Sequence, residues 1–498
     1  MKGGLLVDSY NWILSHPDFQ QLHSNQQNRL LWIKGGPGKG KTMLLCGIVN
    51  ELKKWKVNLS YFFCQAPDIR INNAKDVLRG LMYLLVDQQP SLVVYIQKTY
   101  HHAGTSLFED ANAWIALTEI FGKMLEDPNL NNTYLIIDAL DECILDLSKL
   151  LDFIVQKTSV SSRVKWIVSS RKDPNIEQRL WLDNSRTALS LELEENANQV
   201  SRAVNAYIDH RILELTELQY EKAIQDSVRE KMRCKANGTF LWVSLAISEL
   251  KGVKSWDMLE VLDKMLLELK DVYHQMITQV KRQPRYSELC RKILSIVTAA
   301  YRPLHLQELH VLSGLPVHIH NVIQSTAEFV EMCGSFLAIQ DDNIYFIHQS
   351  AKDYLSQEAN HDIFPCGLGN IHRSIFLRSL EIMSKGLERD IYRLRMLGCP
   401  IEKVRQPVPD PLRTLRYLCI YWVDHLYDWN SSSFVDQIID LRDGGIVHKF
   451  LREQYLYWLE ALSLCRSLSK GVLSIAKLET LVKVILRQYN PRAILLDV

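Results

Sequence analysis

Arg29–Leu45 reads RLLWIKGGPGKGKTMLL. Leu30, Leu31, Trp32 and Ile33 form an apolar run suited to a central strand, which ends at Lys34. Gly35-Gly36-Pro37-Gly38-Lys39-Gly40-Lys41-Thr42 then matches the G-x-x-x-x-G-K-[ST] loop. Met43, Leu44, Leu45, Ile48, Val49 and Leu52 follow at helical spacing. Strand, glycine loop and helix in this order let backbone N–H groups wrap a polyphosphate while the positive end of the helix dipole faces it. Lys41 is then expected to reach the β- and γ-phosphates and the Thr42 hydroxyl to bind Mg²⁺. A glycine-rich turn that binds nothing is the alternative reading.

Outward from the loop, a second stretch, Tyr134–Glu142 (YLIIDALDE), supplies the acidic strand end that Mg²⁺ and an attacking water require. Leu135, Ile136 and Ile137 form the buried strand. Asp138 sits at its tip as a metal residue, and Asp141 and Glu142 follow as candidates to polarise water. A third apolar run, Val164–Arg171 (VKWIVSSR), ends in Arg171. Open α/β sheets present functional residues at the carboxyl ends of their strands, so Arg171 is expected beside a γ-phosphate.

Between and after these runs, strands and helices alternate. The expected strands are Leu30–Lys34, Val57–Cys64, Thr133–Asp138, Val164–Ser169 and Ala188–Leu193. This predicts an α/β P-loop domain with a mostly parallel sheet and helices on both faces. Gln20–Arg29 reads as a polar linker. After Glu194 the pattern turns helical. Helices near 289–300 and 306–313, then short strands Phe336–Gln340 and Ile344–Ile347 around Asp341-Asp342-Asn343, predict a winged helix. The expected limits are 1–28 for a lead-in, 29–194 for the nucleotide-binding domain, 195–285 helical, 286–360 winged helix and 361–498 helical.

Bulk properties narrow the function. The chain has 498 residues and a formal net charge of +1, so no global field draws it to nucleic acid or anionic membrane. Its ten cysteines form no C-x-x-C pair, which suits reduced thiols and a cytoplasmic setting. No signal peptide and no apolar run of about 18–20 residues is present. His101-His102 is no metal motif without further ligands. Trp242, Trp422, Tyr455, Tyr457 and Trp458 are expected in cores, with a partner groove as the alternative. The arginines between 371 and 416 read as a solvated helix face.

Taken together, the loop, the Asp138-Ala139-Leu140-Asp141-Glu142 pattern and VKWIVSSR resemble the NACHT branch of the STAND P-loop NTPases. NWILSHPDFQ, GTFLWVSLA (238–246), YRPLHLQEL (301–309), FIHQSAKDYL (346–355), RYLCIYWVDHL and YLYWLEALSL resemble fungal NACHT proteins of the heterokaryon-incompatibility type. The resemblance implies a signalling switch, NLR-like in incompatibility or innate immunity, that binds ADP/ATP or GTP/GDP with Mg²⁺ and turns over slowly. It implies protein partners through effector or repeat regions and a nucleotide-dependent homo-oligomer, while charge and the missing apolar span argue for neither nucleic acid nor membrane. It also implies that His348 contacts the diphosphate, whereas a lone His beside a strand more often plays a hydrogen-bonded structural role.

Two departures stand out. The chain starts about 30 residues before the loop and shows no blade-like repeat, so a short form or a fragment is expected. Gly36 stands where relatives carry an acidic residue, and Gly238-Thr239-Phe240 where they carry an adenine-proximal proline. Two other functions stay open: a nucleotide-binding scaffold without turnover, and a metabolic P-loop kinase, for which no lid of clustered arginines is found.

Overall fold

The computed structural model describes residues 6–25, 27–103, 113–180, 188–218, 221–282, 285–315, 322–395, 398–429, 440–441 and 443–489. The sequence also predicts a helix over 112–125; residue 112 lies outside the described residues, as do the side chains of His101 and His102. The chain divides into two compact units, 1–272 with 348–350, and 273–347 with 351–498.

The first unit is built on five parallel strands: β1 (Leu30–Lys34), β2 (Asn58–Phe63), β3 (Thr133–Asp138), β4 (Val164–Ser170) and β5 (Ala188–Glu192). Their order is β2-β3-β4-β1-β5. β1, β3 and β4 have apolar centres, Leu30–Ile33, Leu135–Ile137 and Trp166–Val168, and all three are buried but for Lys34, as expected of strands covered on both faces. Register aligns Ile33 with Ser169 and Lys34 with Ser170, so the carboxyl ends of β1 and β4 finish together. β4 also pairs with β3, which brings Asp138 to the same edge. Helix Ala74–Gln88 is capped by Asn73, whose side chain accepts from the Asp76 amide, and it packs on β2. The core between sheet and helices includes Trp166, Phe121 and Phe153, the last two stacked at 5.9 Å.

The lead-in differs from its expected form. Gln20–Ser24 is not linker but the end of a helix, Pro17–Ser24. Pro17 at the first position and the His16 ring, which accepts from the Asp18 amide, start this helix, and Phe19 and Leu22 bury its inner face. Two contacts dock the lead-in. Tyr10 lies against helix Lys41–Leu52 at Gly47, where a Cβ would come within 2.2 Å of the ring. Lys165, on β4, donates to the Leu22 carbonyl, to His23 O at 3.1 Å and to Asn25 O at 3.0 Å, closing the helix C-terminus with a buried cation. Lys165→Met leaves these carbonyls without a donor. It is expected to lower unfolding free energy by about 2–3 kcal/mol, read by urea denaturation.

In the second unit, helices Ser287–Ala299, Leu306–Ser313 and Val322–Met332 lead into a hairpin of β7 (Leu337–Gln340) and β8 (Asn343–Phe346). Asp341 and Asp342 both take positive φ, 48° and 59°, the geometry of a tight two-residue hairpin turn. A strand the sequence reading lacked, β6 (Leu304–His305), completes an antiparallel sheet in the order β6-β8-β7. At two residues it is too short to show alternation. His305 and Glu308 form a capping box that starts the helix after it.

The long helices that follow bury Trp422 and Trp458 completely, and in the first unit Trp242 is buried too, so these are core residues. Tyr455 is 38% exposed and does not share that role. Among the basic residues, Arg416 pairs with Asp410 at 2.9 Å and Arg378 with Glu381 at 2.8 Å. None of the ten cysteines is in a disulfide: Cys46, Cys64, Cys143, Cys290, Cys333 and Cys419 are buried, and Cys234 and Cys366 are exposed.

Candidate nucleotide site

The cleft lies where β1, β3 and β4 end. It encloses about 220 Å³, and its lining includes Pro37, Gly38, Gly40, Lys41, Thr42, Asp138, Asp141, Glu142, Arg171 and His348. Eight of the thirteen site residues expected from sequence are also in the loop itself, which enters helix Lys41–Leu52 through Gly40. Gly38 and Gly40 take φ of +71° and +90°, open to glycine with little strain. Close approach adds a second reason: a Cβ on Gly38 would sit 2.7 Å from the Leu241 Cβ, and one on Gly40 2.7 Å from the Phe240 ring.

The polar side chains are already engaged with one another. Lys41 Nζ donates to the carbonyls of Gly35 at 2.6 Å and Gly36 at 2.9 Å. Burial lowers its pKa, while Asp141 and Asp138 act in the opposite direction. The Thr42 hydroxyl donates to Asp138 Oδ2 at 2.6 Å, and Ser169 Oγ donates to Asp138 Oδ1 at 2.5 Å. Ser169 also accepts from the Ala139 amide at 2.9 Å. Burial raises the Asp138 pKa against the pull of both hydroxyls and Lys41. Ala139 takes a left-handed φ of 54°, which turns the chain out of β3 into Leu140–Glu142.

The three residues expected to handle the γ-phosphate and water are divided. Asp141 is taken up by Arg171: its Oδ1 accepts from the Arg171 amide at 2.9 Å, and its Oδ2 lies 3.2 Å from Arg171 Nε. In this arrangement Arg171 is paired with a carboxylate at the rim of the cleft. Glu142 accepts from the Ala66 amide at 3.1 Å, and burial pushes its pKa up to about 7. A carboxylate poised near neutrality suits a general base. His348 belongs to segment 348–350 of the first unit and lines the cleft. Its Nδ1 accepts from the Ser350 amide at 3.1 Å and lies 2.8 Å from Ser350 Oγ.

Tyr207, Leu241 and Ser244, not singled out from sequence, also line the cleft, as does Phe240 of the Gly238-Thr239-Phe240 run, with the Tyr207 and Phe240 rings 5.5 Å apart. Lys39, one of the expected nucleotide-binding residues, donates to the Asn237 carbonyl at 2.8 Å. Glu194 Oε1 accepts from the Gly36 amide at 2.7 Å. Only the GTFLW run hinted at this side of the cleft. Contacts across about 200 positions of chain leave no local pattern.

The donor set fits the group that the loop implies. An amide-lined turn with close-packed glycines at 38 and 40, one ammonium and one hydroxyl can hold a polyphosphate. The hard oxygens of Thr42 and Asp138 suit Mg²⁺ that draws its remaining ligands from phosphate and water. Among the described residues, no cluster of three or more His, Cys, Asp or Glu side chains is placed to hold a metal without such a ligand.

Comparison with known proteins follows the same lines. The family model "Nephrocystin 3, N-terminal" matches residues 8–171, and "GPI inositol-deacylase, winged helix domain" matches residues 274–365. The Vegetative incompatibility protein HET-E-1 of Podospora anserina is 48% identical over 97% of this chain. This chain is a homologue of that incompatibility protein. It spans about a third of the relative's length, 36%. The resemblance to heterokaryon-incompatibility proteins read from the sequence is thus borne out, as is the winged helix. Among solved structures, a signal transduction ATPase with numerous domains and a tetratricopeptide repeat sensor from Pyrococcus horikoshii aligns with a TM-score of 0.37. It is 13% identical, covering 95% of this chain and 64% of that one. A Walker-type ATPase of Pyrococcus abyssi gives 0.33 and 11% identity, covering 68% and 94%. Neither likeness adds weight to the strand order itself.

Proposed function

We propose that this HET-E-1 homologue is a nucleotide-dependent signalling switch of the incompatibility type, with slow hydrolysis that resets it. The observation that carries the proposal is the joining of Lys41, Thr42 and Asp138 in one cleft, with Glu142 beside them. In this reading residues 35–42 and His348 bind the diphosphate of ADP or GDP. Thr42 and Asp138 hold Mg²⁺, which neutralises phosphate charge when bound. Glu142 takes a proton from the attacking water, and Arg171 leaves Asp141 to meet a γ-phosphate. Asp141 acts as the acceptor that parks Arg171 and helps orient water. The domain limits 1–28, 29–194, 195–285, 286–360 and 361–498 belong to the same proposal, as do a cytoplasmic setting, protein partners and nucleotide-dependent self-association. No helix among the described residues is long and apolar enough to cross a membrane.

Energetics require several contacts to act together. Moving a two-state equilibrium from 1:99 to 99:1 needs about 5.5 kcal/mol of differential binding. One charge-assisted hydrogen bond contributes about 1.5–3 kcal/mol. His348→Ala is accordingly expected to raise the diphosphate off-rate about tenfold or more, measured by stopped-flow release of a fluorescent diphosphate. An unchanged rate removes His348 from the site. The proposal as a whole is tested by denaturing purified protein and identifying what it releases. A purine diphosphate is the expected result. An empty site together with no calorimetric heat on adding ATP, ADP, GTP or GDP overturns it.

A further inference from the structure

The peptide unit joining Gly35 to Gly36 is gripped from both ends. Its carbonyl accepts from Lys41 Nζ at 2.6 Å, and its N–H donates to Glu194 Oε1 at 2.7 Å. A cation and an anion thus face opposite ends of one amide, and each polarises it toward the other. The grip has a rigid base. Leu193, the residue before Glu194, donates its amide to the Lys34 carbonyl at 2.9 Å. A Cβ on Gly35 would lie 3.0 Å from the Leu193 Cβ, so the exit of β5 runs hard against the start of the loop. Beside Lys41, Glu194 has two further lysines near it: Lys172, at 3.9 Å, and Lys39, on whose ammonium its charge also acts. Its pair with Lys172 is long and exposed on both sides, 50% and 37%, so it holds the carboxylate only weakly.

We infer that Glu194 is a positioning residue of the nucleotide site: it fixes the Gly35–Gly36 peptide plane so that its carbonyl holds the Lys41 ammonium over the loop. Two glycines in succession can flip the peptide between them with little steric resistance. Without the carboxylate, that plane turns, and Lys41 loses one of its two carbonyl partners. The glycine at 36 is part of the device. A Cβ there would sit 3.3 Å from Glu194 Oε1, so an acidic side chain at 36 would set two carboxylates against each other.

The inference rests on the proposed nucleotide binding for its affinity readout and is independent of it for a second. Glu194→Ala is expected to weaken ADP or GDP binding about tenfold by calorimetry, without a change in melting temperature. Glu194→Gln keeps an acceptor oxygen and is expected to stay within about twofold of the parent. Gly36→Asp should weaken binding in the parent and be largely rescued by adding Glu194→Gln. The second readout needs no ligand: amide hydrogen exchange of the peptide spanning residue 36 should accelerate in Glu194→Ala and not in Glu194→Gln. Parent protein that binds no purine nucleotide would sink the proposed function and leave the exchange measurement to judge Glu194. Exchange unchanged in Glu194→Ala, or a Gln variant as impaired as the Ala variant, overturns the inference.

Discussion

Lys41→Ala should reduce affinity for purine nucleotides by a factor of about 10²–10⁴, beyond detection in ordinary calorimetry. The ammonium is expected to make hydrogen bonds to two phosphates, each about 1.5–3 kcal/mol when charge-assisted, and 1.4 kcal/mol is tenfold. In the structure Lys41 donates to the carbonyls of Gly35 and Gly36. These face an open cleft where water can replace the lost donor. The fold should therefore survive, and circular dichroism and the melting temperature should match the parent. Retained affinity in a folded variant would show that the loop binds no polyphosphate.

Glu142→Gln should move activity and stability in opposite directions. Burial raises the folded pKa of Glu142 to about 7 from an ordinary value of 4.5. In the folded protein the carboxyl thus keeps its proton over a range in which the unfolded chain has already lost it. The resulting penalty is absent below about pH 4.5, grows as pH rises and is complete above about pH 7. Its size is at most about 3 kcal/mol at 1.36 kcal/mol per pH unit. Gln keeps an acceptor for the Ala66 amide and carries no charge, so the variant should be the more stable protein at pH 8 and equal to the parent near pH 4.5. Denaturation at the two pH values reads this. Triphosphate hydrolysis in the parent should rise through pH 7 as the base is uncovered, and the variant should lose about 10²–10⁴-fold in rate. Equal stability at pH 8 would mean that the fold does not raise the Glu142 pKa. An unchanged hydrolysis rate would remove it as the base.

The parts of this site written in continuous segments were legible from sequence. Leu30–Ile33, Leu135–Ile137 and Trp166–Val168 are runs buried on both faces, and such runs announce central strands without alternation. Asp138 and Lys41 follow because the loop's chemistry ties them to strand and helix ends. Arg171 was legible as a position, while its pairing with Asp141 was not. Tyr207 reaches the cleft, and Glu194 the loop, only through tertiary packing, and nothing in their neighbours' periodicity points there. The helix Pro17–Ser24 hid behind a polar surface, since only Phe19 and Leu22 face inward. Its anchor, Lys165, reads in sequence as one polar residue interrupting a strand.

The thiol inventory makes interunit motion observable. Cys234 lies in the first compact unit and Cys366 in the second, both open to solvent. With the half-exposed Cys399 and Cys465 changed to serine, maleimide dyes can be attached to a native donor–acceptor pair. Energy transfer between them would follow, one molecule at a time, whether exchanging a diphosphate for a triphosphate changes the separation of the two halves.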